Sequence, residues 1–449
     1  MRFVPQEYRR RRACVLGLGR SGQAAAALLV KKGFKVFATD LRPRQEIKTA
    51  LKGLASKIAW EGGKHSDRAL QASFAVKSPG VPSRAPILEK LKTAGIPIFS
   101  ELETALAFSP TPDIMAITGT NGKTTTTALV AEMFGHRRAP VAGNIGTPLC
   151  GIIGKIQAKD TLILEVSSYQ LEDSQSFHPQ AAALLNITPE HLEHHGGMPR
   201  YIEAKARLFA EQTGDDFCVF NAEDPLVLKL SRRAQGRRLY FGRQGTYTHC
   251  WVEGRKIKVR LPGVKEISFT PPQLPGAHNL DNAMAAILLG LGWGLKAAAV
   301  QKALKAFRGV PHRLEEAGTA RGLRCVNDSK ATNVDSTMTA LKTFSKKNVL
   351  VIMGGLHKGN PYTTLRPLIE STVKGILAIG SAAPIIEKDL SGLVPILPCG
   401  DLRTAFETAL QIGSAGDVLL LSPACASFDQ FRDFEDRGDQ FKELVRAAG

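Results

Sequence analysis

The chain has 449 residues, 59 Lys and Arg against 41 Asp and Glu, and a formal net charge of +18. That length exceeds one ordinary core, so roughly two to four domains are expected, and 43% hydrophobic with 22% charged residues is the balance of a soluble globular protein. The basic excess favours anionic partners, but aromatics are only 6% and no basic stripe interleaves with them, which argues against nucleic acid.

The seven cysteines are scattered, odd in number and never paired as Cys-x-x-Cys. This pattern fits a reducing compartment and argues against a disulfide scaffold. No apolar run is long enough to span a bilayer. A cytoplasmic location without stable membrane insertion is therefore expected.

Residues 14–16 predict a strand, Gly17-Leu-Gly-Arg-Ser-Gly22 a turn, residues 23–32 an Ala/Leu-rich helix, and residues 35–39 a second strand closing on Asp40. This is a Gly-x-Gly-x-x-Gly βαβ unit with an acid after its second strand. Such a unit serves NAD, and it serves equally any pyrophosphate beside a ribose. Arg20 and Ser21 in the turn, Asp40 and Arg42 at the strand end, and Ser78 and Gly80 in a facing turn are its candidate ligand contacts. Residues 1–108 read as one Rossmann-like domain, and Ser109-Pro-Thr-Pro112 as a linker.

Residues 114–117 predict a buried strand, and Gly119-Thr120-Asn121-Gly122 a turn for small or left-handed residues. A helix begins at Lys123, Thr124 and Thr125. Strand, glycine turn and Lys-Thr helix make a phosphate cradle, in which backbone N–H groups and the lysine face anionic oxygens and the threonine hydroxyl can ligate Mg²⁺. The usual P-loop would need glycine at position 117, where this chain has Ile117.

Asn144 lies in a second glycine turn, and residues 161–166 form a strand carrying Glu165 near its C-terminal end. A carboxylate there needs a partner or a metal, and Mg²⁺ ligation is favoured over a structural salt bridge. Ser167-Ser-Tyr-Gln170 continues that run, and residues 182–187 form a strand delivering Glu190, His191, Glu193, His194 and His195. The histidines suggest zinc, but their spacing matches no standard helix pair, and plain hydrogen-bonding roles stay open. A helix carries Lys205, residues 238–269 alternate as antiparallel strands, and Asn279 and Asn282 open an Ala/Leu-rich helix.

From Val310-Pro-His-Arg313 onward, strand-then-turn units repeat, with Asp328, Lys330 and Thr332 after one strand and Lys358 after the next. Ser422-Pro-Ala-Cys-Ala-Ser-Phe-Asp-Gln-Phe431 follows the last strand and is expected to open a charged C-terminal helix. That would put Ser427 and the Phe428 backbone at a helix N-terminus, with Phe434 beyond them. The fold class expected is α/β in three domains. These are an N-terminal Rossmann-like domain (1–108), a central mononucleotide-binding sheet with extra antiparallel strands (109–309), and a C-terminal Rossmann-like domain (310–449).

Gly-Thr-Asn-Gly-Lys-Thr, Asn-Ile-Gly, Glu-Val-Ser-Ser-Tyr-Gln, Ala-Lys-Ala, His-Asn-x-x-Asn, Pro-His-Arg, Asn-Asp-Ser-Lys-Ala-Thr and the Ser422–Phe431 run together resemble the Mur ligase family. Its members are ATP-dependent enzymes that add amino acids to cell-wall precursors. The Ser422–Phe431 run is similar to that of the D-glutamate-adding branch. The resemblance implies ATP, UDP-N-acetylmuramoyl-L-alanine and D-glutamate as substrates, an acyl-phosphate intermediate, domain closure and a monomer.

The resemblance also assigns roles. Lys123, His191 and Lys205 are catalytic, and Gly119 to Thr125, Asn279, Asn282, Arg313 and Asp328 bind ATP. Arg20, Ser21, Asp40, Arg42, Ser78, Gly80, Asn144 and Gln170 bind the UDP-sugar. Lys330, Thr332, Lys358, Ser427, Phe428 and Phe434 bind D-glutamate. Two Mg²⁺ sites are implied, one on Thr124 and Glu165 and one on His191 and a carbamylated Lys205. The chain departs from the family pattern where His191 is followed by Leu-Glu-His-His in place of an Asp-Arg pair, and where His357 precedes Lys358. Two other classes remain, a dinucleotide-dependent oxidoreductase and a nucleotide-gated binding protein without turnover; a folate-polyglutamylating ligase is a nearer alternative.

Overall fold

A computed structural model describes every residue except Met1, His136, Arg137, Thr246, Pro275 and Lys358. The chain forms two compact units, 1–273 with 277–307, and 274–276 with 308–449.

The first unit holds two sheets. In the first are β1 (Arg12–Leu16), β2 (Lys35–Asp40), β3 (Ala59–Gly62), β4 (Phe74–Lys77) and β5 (Ile98–Ser100), in the order β3-β2-β1-β4-β5. All its pairings are parallel. The strand order reverses between β1 and β4, which opens a crevice at their C-terminal ends. The glycine turn after β1 is shaped by close approach. A Cβ on Gly22 would overlap the Gly17 carbonyl oxygen, and Gly17 itself sits at φ 79° against Val81 and Ser78, so only glycine fits both positions.

The second sheet contains β6 (Ile114–Thr118), β7 (Val141–Gly143), β8 (Leu162–Glu165), β9 (Ala181–Leu184), β10 (Phe217–Asn221), β11 (Arg237–Gly242), β12 (Cys250–Glu253), β13 (Lys256–Val259) and β14 (Ile267–Phe269). Their order is β14-β13-β12-β11-β10-β9-β6-β8-β7. β6 lies inside it, with Ile117 opposite Glu165 on one side and Ala183 on the other. This register sets the carboxylate level with the start of the phosphate loop. β11 pairs in parallel with both neighbours, so the antiparallel expectation for residues 238–269 holds only for β12 to β14. One apolar core runs from Phe3 and Phe74 under the first sheet to Leu164, Leu184 and Phe220 under the second.

The second unit is a sheet of β15 (Glu315–Ala320), β16 (Leu323–Asn327), β17 (Val349–Gly354), β18 (Val373–Ile379), β19 (Ile396–Gly400) and β20 (Val418–Leu421), in the order β15-β16-β20-β17-β18-β19. Only β15 is antiparallel. β17, β20 and most of β18 are buried, near-continuous Val/Ile/Leu runs, as a parallel sheet covered on both faces requires. Among the described residues no helix is long and apolar enough to cross a membrane.

Candidate active site

The turn between β6 and the helix Lys123–Phe134 is held by Asn186, which follows β9. Its backbone oxygen accepts from the Thr120 N–H at 3.0 Å, and its side chain takes the Asn121 N–H at 2.8 Å and returns a bond to the Asn121 carbonyl at 3.1 Å. Gly122 closes the turn at φ 83°, and a Cβ there would overlap the Asn282 side-chain oxygen. Lys123 curls back over the loop, donating to the Gly119 and Thr120 carbonyls at 2.9 and 2.7 Å. Four consecutive threonines are poor helix formers, yet all four here are buried. The Thr124 hydroxyl donates to Glu165 Oε2 at 2.8 Å, and that of Thr126 lies 3.5 Å from Asn282 Oδ1. Asn282 in turn donates to Asn279 Oδ1 at 3.1 Å. The structure thus brings Gly119 to Thr125, Glu165, Asn279 and Asn282 together.

Glu165 is 2% exposed. Its hydrogen bonds come from neutral groups, the Thr124 hydroxyl and the Asn144 amide at 2.9 Å. A buried anion with neutral oxygen-bearing neighbours beside a phosphate loop is a donor set that fits a hard divalent cation such as Mg²⁺. Asn144, expected against the UDP-sugar, therefore sits on the same carboxylate as Thr124.

Lys205 lies at the end of the helix Met198–Ala206, 2% exposed, with Nζ 4.7 Å from the Tyr201 ring centroid. Burial pushes its pKa well below that of an ordinary lysine, and the Lys123 charge adds to the fall while Glu190 opposes it. Tyr201 is itself anchored by a 2.8 Å bond between its hydroxyl and that of Thr120. His191 takes a left-handed conformation (φ 55°) at the start of the turn Leu192–His195, with its Nε2 3.8 Å from Glu190 and its ring 4.9 Å from that of Tyr169.

At the crevice of the first sheet, Asp40 accepts the Leu18 N–H at 2.6 Å and pairs with Arg42 through both oxygens. Burial works against the Asp40 anion, but these bonds prevail and hold its pKa below the usual carboxylate value. Arg20 reaches across to the Gly146 carbonyl, while Ser78 is buried beside the Gly17 turn and Gly80 is exposed. Gln170 is spent locally. Its side-chain oxygen accepts from the Ser167 N–H at 3.0 Å, completing a capping box at the helix Ser168–Glu172.

In the second unit the turns after β16, β20 and β17 gather at one sheet edge. Asp328 accepts from the Ser422 hydroxyl at 2.8 Å and from the Leu314 N–H at 3.2 Å, and Leu356 and Ala426 pair as an antiparallel bridge. Burial raises the Asp328 pKa to about 7 against the pull of Ser422 and Arg313. The Lys330 ammonium is 5.9 Å from the Phe434 ring centroid, and Thr332 lies in the same turn, its N–H on the Lys330 carbonyl. Lys358 lies outside the described residues.

The C-terminal helix begins later than expected. It runs Phe434–Ala448, capped by the Asp433 side chain, which accepts the Asp436 N–H. Ser427 and Phe428 stand before it in a turn, where the Gln430 and Phe431 N–H groups both point at the Ser427 carbonyl. The helix dipole expected at Ser427 is therefore absent, because the helix is capped at Asp433 and the chain at Ser427 is in a turn. Ser427 is 2% exposed and Phe428 69%.

Sequence reasoning passed over Tyr201, Asn186 and Arg437. Arg437 is fully buried, donating to the Ser329 hydroxyl and carbonyl at 2.9 Å and to the Cys425 carbonyl at 3.3 Å. It ties the turns after β16 and β20. Its one sequence signal was an arginine beside Gly438, on the face that also carries Phe441 and Val445.

The glycine loop on a parallel sheet, the lysine and threonine opening its helix and the buried carboxylate on the next strand define a phosphate-binding α/β protein. Three family models match in register with the sheets: the Mur ligase MurD-like N-terminal domain over residues 11–100, the Mur ligase middle domain over 117–290, and the Mur ligase glutamate ligase domain over 312–425. The chain belongs to the Mur ligase family. It is 42% identical over 459 residues to the UDP-N-acetylmuramoylalanine--D-glutamate ligase of Elusimicrobium minutum, covering 99% of this chain and 100% of that one. It is 41% identical to the protein of the same name from Koribacter versatilis, covering 98% of each. Among solved structures, the UDP-N-acetylmuramate-alanine ligase of Thermotoga maritima shares the fold at TM-score 0.60 and 22% identity, with 98% of this chain and 100% of that one covered.

Proposed function

We propose that this protein joins D-glutamate to UDP-N-acetylmuramoyl-L-alanine at the expense of ATP, in cytoplasmic peptidoglycan precursor synthesis. The observation that carries the proposal is the end-to-end similarity to ligases of that name, together with the cluster of Lys123, Thr124, Glu165 and Lys205 around one phosphate loop.

A carboxylate is a poor acyl donor, so the L-alanine carboxylate first takes the γ-phosphoryl group of ATP. The amine of D-glutamate then attacks the acyl phosphate, the C–O bond to phosphate breaks, and inorganic phosphate leaves. The N–H groups at the start of the helix Lys123–Phe134 and the Lys123 ammonium hold the ATP phosphates and meet the charge that develops on them. Asn279 and Asn282 serve the adenine end, and Arg313 and Asp328 are further ATP contacts. Thr124 and Glu165 would hold one Mg²⁺ and His191 with Lys205 a second, and the bound ions would spread charge on the transferring phosphoryl group.

Lys205 acts there as a carbamate. An ammonium would repel a cation, whereas a buried, neutral amine can attack CO₂, forming an N–C bond and releasing a proton. The UDP group lies on the turn holding Arg20 and Ser21, with Asp40, Arg42, Ser78 and Gly80 around it, and with Asn144 from the turn after β7 and Gln170 from the helix Ser168–Glu172. Lys330, Thr332, Lys358, Ser427, Phe428 and Phe434 receive D-glutamate, so residues 1–108, 109–309 and 310–449 divide the three substrates among them. The protein works as a monomer.

The test is phosphate release from ATP and Mg²⁺ with UDP-N-acetylmuramoyl-L-alanine, comparing D-glutamate with L-glutamate. Release that requires both the nucleotide sugar and D-glutamate is expected. Equal release with L-glutamate, or release with a folate substrate instead, would overturn the assignment.

A further inference from the structure

Glu172 ends the helix Ser168–Glu172, and His194 and His195 end the turn Leu192–His195. One ligand atom from each lies within 4.8 Å of the other two. Glu172 Oε2 is 3.0 Å from His194 Nε2 and 3.4 Å from His195 Nδ1, and the side chains are 20%, 12% and 0% exposed. Ligands bound at about 2.0–2.1 Å in a tetrahedron stand roughly 3.3 Å apart. The two measured edges bracket that spacing.

The surroundings are those of ligands held in place. His195 Nε2 meets the Ser168 hydroxyl at 3.0 Å, while its buried Nδ1 makes no well-aligned hydrogen bond among the described residues and stands 3.4 Å from Glu172 Oε2. The Ser83 hydroxyl donates to Glu172 Oε2 at 2.9 Å, and Arg207 grips the Glu172 backbone carbonyl. Metal-bound imidazoles and carboxylates ordinarily have such outer partners, which fix orientation and tautomer. Burial pushes the pKa of both imidazoles below the ordinary histidine value despite the Glu172 charge.

We infer that Glu172, His194 and His195 form a binding site for a zinc-class divalent transition metal, separate from the Mg²⁺ positions at Thr124 with Glu165 and at His191 with Lys205. Two imidazoles and one carboxylate suit Zn²⁺, whereas Mg²⁺ prefers all-oxygen shells. Three protein ligands leave a fourth position for water.

The experiment uses tag-free full-length protein, stripped with chelator and kept in excess Mg²⁺ so that the hard-cation positions are filled. Titration with Co²⁺ should give the intense visible absorption of a four- or five-coordinate ion at one equivalent, and Zn²⁺ should abolish it. Zn²⁺ affinity, read by competition with a chromophoric chelator, should fall by about 10–100-fold in Ser83→Ala and by more in Glu172→Gln and His194→Arg. His191→Ala should keep it. Circular dichroism checks that the variants fold, and the wild-type cobalt spectrum depends on none of them. Octahedral-type weak absorption in the wild type, or zinc affinity lost in His191→Ala but kept in His194→Arg, would overturn the inference.

Discussion

The Thr124 hydroxyl and the Glu165 carboxylate meet at 2.8 Å, linking the first turn of the phosphate-loop helix to the end of the neighbouring strand. A cation seated there would replace the shared proton contact with two oxygen ligands. Glu165→Gln keeps the shape and removes the charge. Its kcat/KM should fall by about 100-fold, or ~2.7 kcal/mol, and its half-saturating Mg²⁺ concentration should rise. Unchanged Mg²⁺ dependence would make Glu165 only a structural partner of Thr124 and Asn144.

Lys205 supplies a stability readout as well as an activity one. Its folded-state pKa lies well below that of a free lysine, mainly through burial. Between that lowered value and the unfolded value near 10.4, the unfolded chain binds the extra proton, so this residue's contribution to stability rises with pH through that window. At pH 7, Lys205→Met should therefore raise the melting temperature of the CO₂-free protein while abolishing turnover. In Lys205→Ala, a short carboxylic acid should restore part of the activity. A destabilised Lys205→Met protein, or one that still turns over, would return Lys205 to the role of an ordinary lysine.

Asp40 and Arg42 form a two-oxygen pair that also holds the Leu18 N–H, inside the first glycine turn. Arg42→Ala loosens that turn and Ser21→Ala removes a hydroxyl from it. Both should raise KM for the UDP-sugar several-fold and leave KM for ATP nearly unchanged. Equal effects on the two substrates would remove the UDP group from this crevice.

Both glycine turns were legible in the sequence because they carry residues that only special backbone positions demand, Gly17, Gly22 and Gly122. Glu165 was legible because charge in an apolar strand has few explanations. The C-terminal helix start was misplaced because Ser427 and Asp433 are both good caps, and only the tertiary setting of the preceding turn decides between them. Arg437 was invisible for another reason: its burial depends on the turns after β16 and β20 closing over it, contacts more than 100 residues apart in one case and 12 in the other. The alternation in residues 247–261 suggests hairpin strands, and nothing local in Arg237–Gly242 says that β11 pairs in parallel.

Asp328 makes the second unit sensitive to pH. Burial raises its pKa to about 7, against about 3.9 in an unfolded chain. Between those values the folded form holds the extra proton, so the Asp328 contribution to stability is full below pH 4 and is lost as pH rises toward 7. Asp328→Asn removes that dependence. The denaturation midpoint of the variant relative to wild type should climb from pH 5 to pH 8. A constant difference would mean that Ser422 and Arg313 satisfy the ionised carboxylate.

Ser427 tests the amino-acid site without the help of a helix dipole. D-Glutamate carries two carboxylates at pH 7, and each needs donors or a cation. Ser427 is buried in the turn after β20, its chain neighbour Ala426 paired with Leu356 from the turn after β17, while Lys330 and Thr332 follow β16 on the other side of β20. With the final helix starting only at Phe434, a carboxylate at Ser427 depends on the hydroxyl and on neighbouring side chains. Ser427→Ala should then weaken D-glutamate binding by about 1–2 kcal/mol, the worth of one hydrogen bond to a charge. Lys330→Met should cost more, since it removes a full charge. Calorimetry should find UDP-sugar and ATP binding nearly intact in Ser427→Ala. Loss of UDP-sugar binding with D-glutamate binding preserved would move the amino-acid site away from this sheet edge.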